Sequence, residues 1–461
     1  MDEKLKSQIL AALATIQDPD LGRDIVSLGF VKNVAHCDGL VSFDIELTTP
    51  ACPVKDLMQS QAVEAVKKVP GITNVQARMT AQVRPAGVHN LESLKSVKNL
   101  VAIASGKGGV GKSTVSVNLA VALARMGARV GLMDGDIYGP TIPKMLGVNQ
   151  QPQVGPDQRM QPLEAHGIKF MSLGVLVGND APVIWRGPMA SKMIQQLLGG
   201  VAWGDLDYLL IDLPPGTGDI QLTLTQAAPL TGAVIVTTPQ DVAMNIAKKG
   251  LQMFRQVNVP VLGVIENMSH FACPHCGQEN RVFGKGDAEH VSQQMGLPLL
   301  GRIPLDPALC ESGDSGKPIV VSHPESAAAK AFVAAAQMVA SRLSVASVEQ
   351  SLAKSLPKQI EAGEKELKIE WDDGHASVHN IRKLRADCPC AICRDEWTGQ
   401  RKIQLGDVPP DVKVSQALPV GRYALNLIFS DGHSTGLYGL AKLRESCECG
   451  TCVRVPEAVG A

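Results

Sequence analysis

Hydrophobic residues fall along this chain in three different rhythms. Between about 95 and 343, short unbroken apolar runs at 100–104, 130–133, 208–211, 233–237 and 260–265 alternate with stretches of helical spacing. Runs of that kind predict strands buried on both faces. Strands alternating with helices predict an α/β fold built on a doubly wound parallel sheet. Residues 1–90 are ordered differently. An amphipathic helix over 2–16 and a turn at Asp18-Pro19-Asp20 precede strands near 29–34 and 40–47, a helix over 54–69 and a strand near 74–79. That α-β-β-α-β order predicts a small α/β domain with helices on one sheet face. Arg84-Pro85-Ala86-Gly87 opens the connection to the middle, residues 95–343. Residues 344–366 are charged and mildly helical and read as a linker. Residues 367–453 bring Trp, Cys, His and paired Asp-Gly-His elements and read as a small, mostly β metal-binding domain. Apart from one recurring cysteine spacing, the chain reads as free of long repeats.

The first apolar strand of the middle region runs into SGKGGVGKST at 105–114 and then into a helical stretch. Gly106, Gly111, Lys112 and Ser113 satisfy G-x-x-x-x-G-K-[ST], the pattern of a phosphate-binding loop. Its glycines, Gly106, Gly108, Gly109 and Gly111, let the backbone N–H groups of the loop, with those of Lys107, Val110 and Thr114, turn onto phosphate oxygens at a helix N-terminus. Lys112 is placed to reach the β- and γ-phosphates of ATP, and the Ser113 hydroxyl to ligate Mg²⁺. Further along, GLMDGD ends a strand with Asp134 and Asp136, and DYLLID ends another with Asp212, a carboxylate suited to Mg²⁺, usually through water. The turn Pro214-Pro215-Gly216 fits a loop that senses the γ-phosphate.

Composition narrows the partners. At 461 residues the chain has room for about three domains of roughly 150 residues. A formal net charge of -1 and an aromatic content of 3% argue against a nucleic-acid surface. No apolar run approaches the ~20 residues that cross a bilayer, and the N-terminus has neither a secretion nor a transit pattern. The expectation is a cytoplasmic protein with no membrane and no nucleic-acid partner. Its eleven cysteines are then metal ligands sooner than disulfides, and eight of them fall in CxxC or CxCxxC clusters. Cys273 and Cys276 supply two thiolates where zinc and 4Fe–4S clusters both want about four, so spacing leaves the two equally open.

Lys107 marks the deviant P-loop of the MinD, ParA and nitrogenase-iron-protein class. Together SGKGGVGKST, GLMDGDIYGPTIPKMLG, IWRGPMAS, WGDLDYLLIDLPPGTGD, GVIENMSHFACPHCG and GRIPLDP resemble the Mrp/ApbC/Ind family of iron–sulfur cluster carrier ATPases, over essentially all of 95–343. The resemblance implies a homodimer in which Lys107 crosses to the other subunit's nucleotide as an arginine finger does, and Asp136 orients the attacking water. Lys107, Lys112 and Asp136 are thus the candidate catalytic residues, and Asn267 is expected at the adenine edge. Cys273 and Cys276, with the same pair from a second copy, would hold one bridging 4Fe–4S cluster. ATP turnover would change that cluster's exposure, and the cluster would pass from a donor to apo iron–sulfur proteins. FGKGDA at 283–288 departs from the FG-x-GG of relatives, so Asp287 should alter a loop.

The flanking modules resemble two further families. Asp18-Pro19-Asp20, SLGFVKNV and LTTPACPV are similar to the PaaD/MIP type of iron–sulfur assembly domain, and Cys52 there precedes a helix N-terminus that favours thiolate. Cluster handling and simple packing both remain open for it. ADCPCAICRDEWTG and FSDGHSTGLYGLAKLR resemble the N-terminal domain of γ-butyrobetaine hydroxylase-like proteins. That implies a structural Zn²⁺ on Cys388, Cys390, Cys393 and His433, stabilising a domain too small to rely on its core. CECGTC, with Cys447, Cys449 and Cys452, repeats the CxCxxC spacing outside that resemblance. It is open to a transient cluster, to zinc, to chemistry with Cys52, or to no role. Two other classes compete. A MinD/ParA-like positioning ATPase needs a basic amphipathic end, which VRVPEAVGA does not offer. A zinc-binding scaffold with a vestigial nucleotide site conflicts with intact Lys107, Lys112, Ser113, Asp136 and Asp212.

Overall fold

The computed structural model describes the chain except for residues 1–2, 20, 38, 84, 86–90, 137–138, 178–186, 217–229, 241–249, 256, 258, 274–275, 277, 284–291, 293–295, 353–356, 372–373, 391–392, 394–400, 421–423, 435, 448 and 450–461. Two compact units result, Met1–Ala346 and Ser347–Ala461. The first is built on an eight-stranded sheet in the spatial order 299–302, 261–266, 232–237, 97–105, 206–212, 130–134, 168–172, 163–165. All neighbours in it pair parallel except the last pair, where Leu163–Ala165 runs antiparallel to Ile168–Ser172. The five apolar runs are its centre. The three outer strands, 163–165, 168–172 and 299–302, are shorter or more polar and carried no such signal.

Val97–Ser105 lies mid-sheet, and Leu100, Val101, Ala102 and Ile103 on it are 0% exposed. At about 1.5–3 kcal/mol for each fully buried aliphatic side chain, such a strand is fixed by burial on both faces. Chain order reverses on either side of it, since its neighbours are Leu206–Asp212 and Gly232–Thr237. In an open α/β sheet the crevice at the carboxyl ends of such strands is where ligands bind.

The N-terminal elements follow the expected order: helix Glu3–Leu13, strands Val31–Cys37 and Leu40–Leu47, helix Lys55–Lys67 and strand Asn74–Ala81. Leu40–Leu47 is the middle strand, antiparallel to the first and parallel to the last. These elements do not stand apart from the middle region. Ala51 and Val83 are buried in the same apolar cluster as the large sheet. The Tyr208 hydroxyl also donates to Thr49 Oγ1 at 3.1 Å inside that contact.

The second unit corrects the linker expected at 344–366. Helix Ala327–Leu352 continues through its start, and Pro357–Ala362 is a strand paired antiparallel to Glu366–Trp371. Its charges mislead because no residue of the strand is fully buried, and Lys358, Gln359 and Glu361 are exposed. Two three-stranded sheets form this unit, 357–362/366–371/376–380 and 414–420/424–429/436–439. Each is followed by a one-and-a-half-turn helix, Ile381–Ala386 and Leu440–Glu445. The unit is therefore a duplication, contrary to the absence of long repeats read from the sequence. The copies have diverged at most positions and keep chiefly their buried alternation and turn residues.

Candidate nucleotide and metal sites

The phosphate-loop geometry follows from its glycines. Gly109 and Gly111 have φ of +79° and +76°, a region that costs other residues about 1–2 kcal/mol. Gly111 is also the N-cap of helix Lys112–Arg125, and a Cβ there would collide with the Asn267 amide. That amide donates to the Val110 carbonyl at 2.9 Å. Asn267 is 2% exposed, so here it braces the loop from behind. The loop and its neighbours Asp136 and Pro215 enclose a cleft of about 190 Å³ at the carboxyl ends of the strands. A larger cleft, about 500 Å³, lies at the amino ends beside Arg129 and His166 and contains none of these residues. Chemistry, not size, selects the first.

Charge in the cleft is organised around Asp212, which is 0% exposed. Lys112 Nζ lies 2.8 Å from its Oδ2 and 3.8 Å from Asp136 Oδ2. Ser113 Oγ donates to Oδ2 and Ser116 Oγ to Oδ1, each at 2.6 Å. Asp134, one strand over, is pushed up to about 8, first by burial and then by the charge of Asp212. It therefore keeps its proton at neutral pH, and two adjacent buried carboxyls do not both ionise. Ser172 donates to it at 2.8 Å. Lys107 Nζ donates to Gln240 Oε1 at 2.6 Å within the same chain. Gly106, Gly108 and Thr114 complete the loop.

Lys107, Lys112, Ser113, Asp136 and Asp212 are thus brought to one cleft. Ser116 and Gln240 are additions. Ser116 could have been found, because it sits one turn after Ser113 on the same helix face. Gln240 carries no such signal, since only the fold brings it to the loop.

Cys273 and Cys276 sit at the tip of a small hairpin whose strands, Phe271–Ala272 and Glu279–Asn280, pair antiparallel. The Cys273 N–H donates to the Gln278 carbonyl at 3.0 Å. Cys276 is exposed and Cys273 half-buried. Among the described residues no third histidine, cysteine or carboxylate converges with the pair. Cys52 lies three residues before helix Lys55–Lys67, half-buried against the N-terminal core. The segments 184–186, 217–219 and 284–288, with Cys452, lie outside the described residues.

In the second unit, Cys388, Cys390, Cys393 and His433 converge, their ligand atoms all within 4.8 Å of one another. His433 Nε2 stands 3.1, 3.5 and 3.7 Å from the three Sγ atoms in turn. Zinc bonds of about 2.0 Å to nitrogen and 2.3 Å to sulfur, at a tetrahedral angle, hold N and S about 3.5 Å apart. The donor set and its spacing fit that ion. Arg385 ties the turn in place, donating to Asp431 Oδ2 at 2.7 Å and to Cys393 Sγ at 3.4 Å.

Over residues 96–340 the chain matches the family model described as the NUBPL iron-transfer P-loop NTPase. The chain belongs to that family. Binding and hydrolysis of a nucleoside triphosphate go with membership of these P-loop NTPases. Residues 6–78 match an iron–sulfur cluster assembly protein model, and 358–444 the N-terminal model of γ-butyrobetaine hydroxylase-like proteins. An iron–sulfur cluster carrier protein of Synechocystis is 49% identical over 346 residues, 74% of this chain and 98% of the relative. The rice protein named Fe-S cluster assembly factor HCF101, chloroplastic, is 44% identical over 438 residues, 94% of this chain and 81% of the relative. The Escherichia coli iron–sulfur cluster carrier protein is 43% identical over 343 residues, covering 74% and 93%. Among the described residues no helix is long and apolar enough to cross a membrane.

Proposed function

We propose that this NTPase is an ATP-dependent iron–sulfur cluster carrier of the cytoplasm, a compartment that keeps thiols reduced. Two copies would hold one 4Fe–4S cluster as cargo and pass it from a donor to apo-proteins. The observation that carries the reading is the hairpin at Cys273 and Cys276. It presents exactly half of a four-thiolate set at an accessible tip, on the same unit as a complete phosphate loop. A second copy supplies the other half. The names of the relatives support the same cargo.

In this reading the backbone N–H groups of 106–114 cradle the phosphates of ATP, and Lys112 leaves Asp212 for the β- and γ-oxygens. Ser113 and Asp212, already 2.6 Å apart, fit a Mg²⁺ ion, which would supply charge neutralisation at the γ-phosphate. Asp136, at the cleft wall, orients the attacking water. Lys107 exchanges Gln240 for the nucleotide of the other subunit, so hydrolysis depends on dimer geometry. Cys388, Cys390, Cys393 and His433 hold a structural zinc ion, separate from the cargo.

The test is transfer. Cluster-loaded protein is mixed with an apo 4Fe–4S dehydratase, whose activity is followed. Wild type should restore activity. Cys273→Ala/Cys276→Ala should not, while keeping its ATPase. Lys112→Ala should load a cluster in vitro yet fail to support cluster enzymes in cells. Full transfer by the double cysteine variant would overturn the proposal.

A further inference from the structure

The duplication in the second unit has a consequence for its C-terminal cysteines. Buried Leu367, Ile369 and Trp371 correspond to buried Leu425, Leu427 and Phe429. After each run comes a turn with the same sequence, Gly374-His375 and Gly432-His433, with φ of +83° and +82° at the glycines. In both turns the glycine N–H donates at 3.1 Å to the aromatic residue's carbonyl. That residue's own N–H donates to the histidine carbonyl, at 2.8 Å in the first copy and 2.9 Å in the second. Each short helix then carries Lys-Leu-Arg just before its last residue and leads to Cys-x-Cys.

The copies exchange their side chains. His433, from the second copy, faces Cys388, Cys390 and Cys393 of the first. The Arg385 guanidinium of the first stands 5.9 Å from the Phe429 ring of the second, and Arg444 of the second 6.0 Å from Trp371 of the first. By the same exchange His375 faces the second copy's cysteines. Its Nε2 is 3.4 Å from Cys447 Sγ and 3.8 Å from Cys449 Sγ, and all three ligand atoms lie within 4.8 Å. Cys447 is buried, and the Cys449 N–H donates to its sulfur at 3.4 Å. The Cys390 N–H does the same for Cys388.

We infer that His375, Cys447 and Cys449 form a second metal site, which binds a zinc ion. The separations bracket the roughly 3.5 Å expected between N and S of a tetrahedral zinc centre. One imidazole with thiolates is the donor set of the first site and suits the same borderline-soft cation. The γ-butyrobetaine hydroxylase-like match ends at 444, before these cysteines. Cys452, the counterpart of Cys393 in sequence, lies outside the described residues, and the inference stands on the other three. Two zinc ions then clasp the copies together in both directions, each bridging residues far apart in the chain.

The experiment counts zinc by mass spectrometry of the full chain, loaded with Zn²⁺ and desalted. Cys273→Ser/Cys276→Ser serves as background so that the hairpin contributes nothing. Two zinc ions per chain are expected, falling to one in His375→Ala and, separately, to one in His433→Ala. His433→Ala reports the first site alone, so failure of that assignment is distinguishable from failure of this one. His375→Ala combined with Cys388→Ser should leave none, because crossed pairing breaks both sites; one remaining zinc would overturn the crossing. His375→Cys should restore the second ion and, with Co²⁺ in its place, strengthen the sulfur-to-cobalt absorption, which an unfolded domain would not do. Two zinc ions retained in His375→Ala, or only one in the background protein, would overturn the site. Iron–sulfur absorption that disappears in Cys447→Ser after loading with iron and sulfide would overturn zinc as its occupant.

Discussion

Lys112→Ala should destabilise the nucleotide-free protein, not merely silence it. In the cleft Lys112 is 6% exposed and Asp212 0%, and their 2.8 Å pair is the only ion pair that puts a cation on that carboxylate among the described residues. Truncating the lysine leaves a buried carboxylate held by two hydroxyls, those of Ser113 and Ser116. Breaking one partner of such a pair costs about 3–5 kcal/mol, because the remaining charge stays out of water. For a unit as large as Met1–Ala346, 1 kcal/mol moves the midpoint by only about 1.4 °C, so melting of the first unit should fall by roughly 4–7 °C. The assay is thermal unfolding without nucleotide of wild type, Lys112→Ala, Asp212→Asn and the double variant. Removing both charges should cost less than the sum of the single changes by at least about 1.5 kcal/mol. Additive losses, or a Lys112→Ala midpoint within about 2 °C of wild type, would refute the buried pair as a structural element.

Other outcomes follow from single contacts. Gly111→Ala should lose about 2–3 kcal/mol, from its left-handed backbone and from displacing the Asn267 amide, and should weaken binding of a fluorescent ATP analogue at least tenfold. Because the Asp134 carboxyl is raised to about 8 in the folded protein and titrates near 4 when unfolded, its favourable contribution is complete below about pH 4 and is lost as pH rises to about 8. Urea denaturation at pH 6, 7 and 8 should therefore show Asp134→Asn gaining on wild type by up to about 1.4 kcal/mol per unit; a constant gap would refute the shift. Tyr208→Phe should cost about 1 kcal/mol, and in Thr49→Val the same change should cost measurably less, since their hydroxyls bond each other between the N-terminal elements and the large sheet.

What could be read in advance was what lies close in sequence. The phosphate loop is ten consecutive residues, and the buried strands beside it are unbroken apolar runs, so their chemistry and fold were legible together. Asp212 and Asp136 were legible because the first ends such a strand and the second lies two residues past the end of another. Gln240, which holds Lys107, was not, since it lies 133 positions further along the chain and only two neighbouring strands bring the two together. Asn267 was singled out from resemblance alone, and the bond from its amide to the Val110 carbonyl depends on the turn after strand Val261–Glu266. The strand at 357–362 was hidden because a largely exposed edge strand with Lys, Gln and Glu reads like a linker. The duplication escaped because copies related mainly by burial and a turn share few letters. The cysteine echo was its visible remnant.

The central claim, a cargo cluster held between two copies by Cys273 and Cys276, is tested most directly by Mössbauer spectroscopy after anaerobic loading with ⁵⁷Fe and sulfide. The account predicts a 4Fe–4S signal near one cluster per dimer in wild type and none in Cys273→Ala/Cys276→Ala, with zinc in the second unit unchanged. A full cluster in the double variant, or zinc alone at the hairpin of wild type under every loading condition, would contradict it.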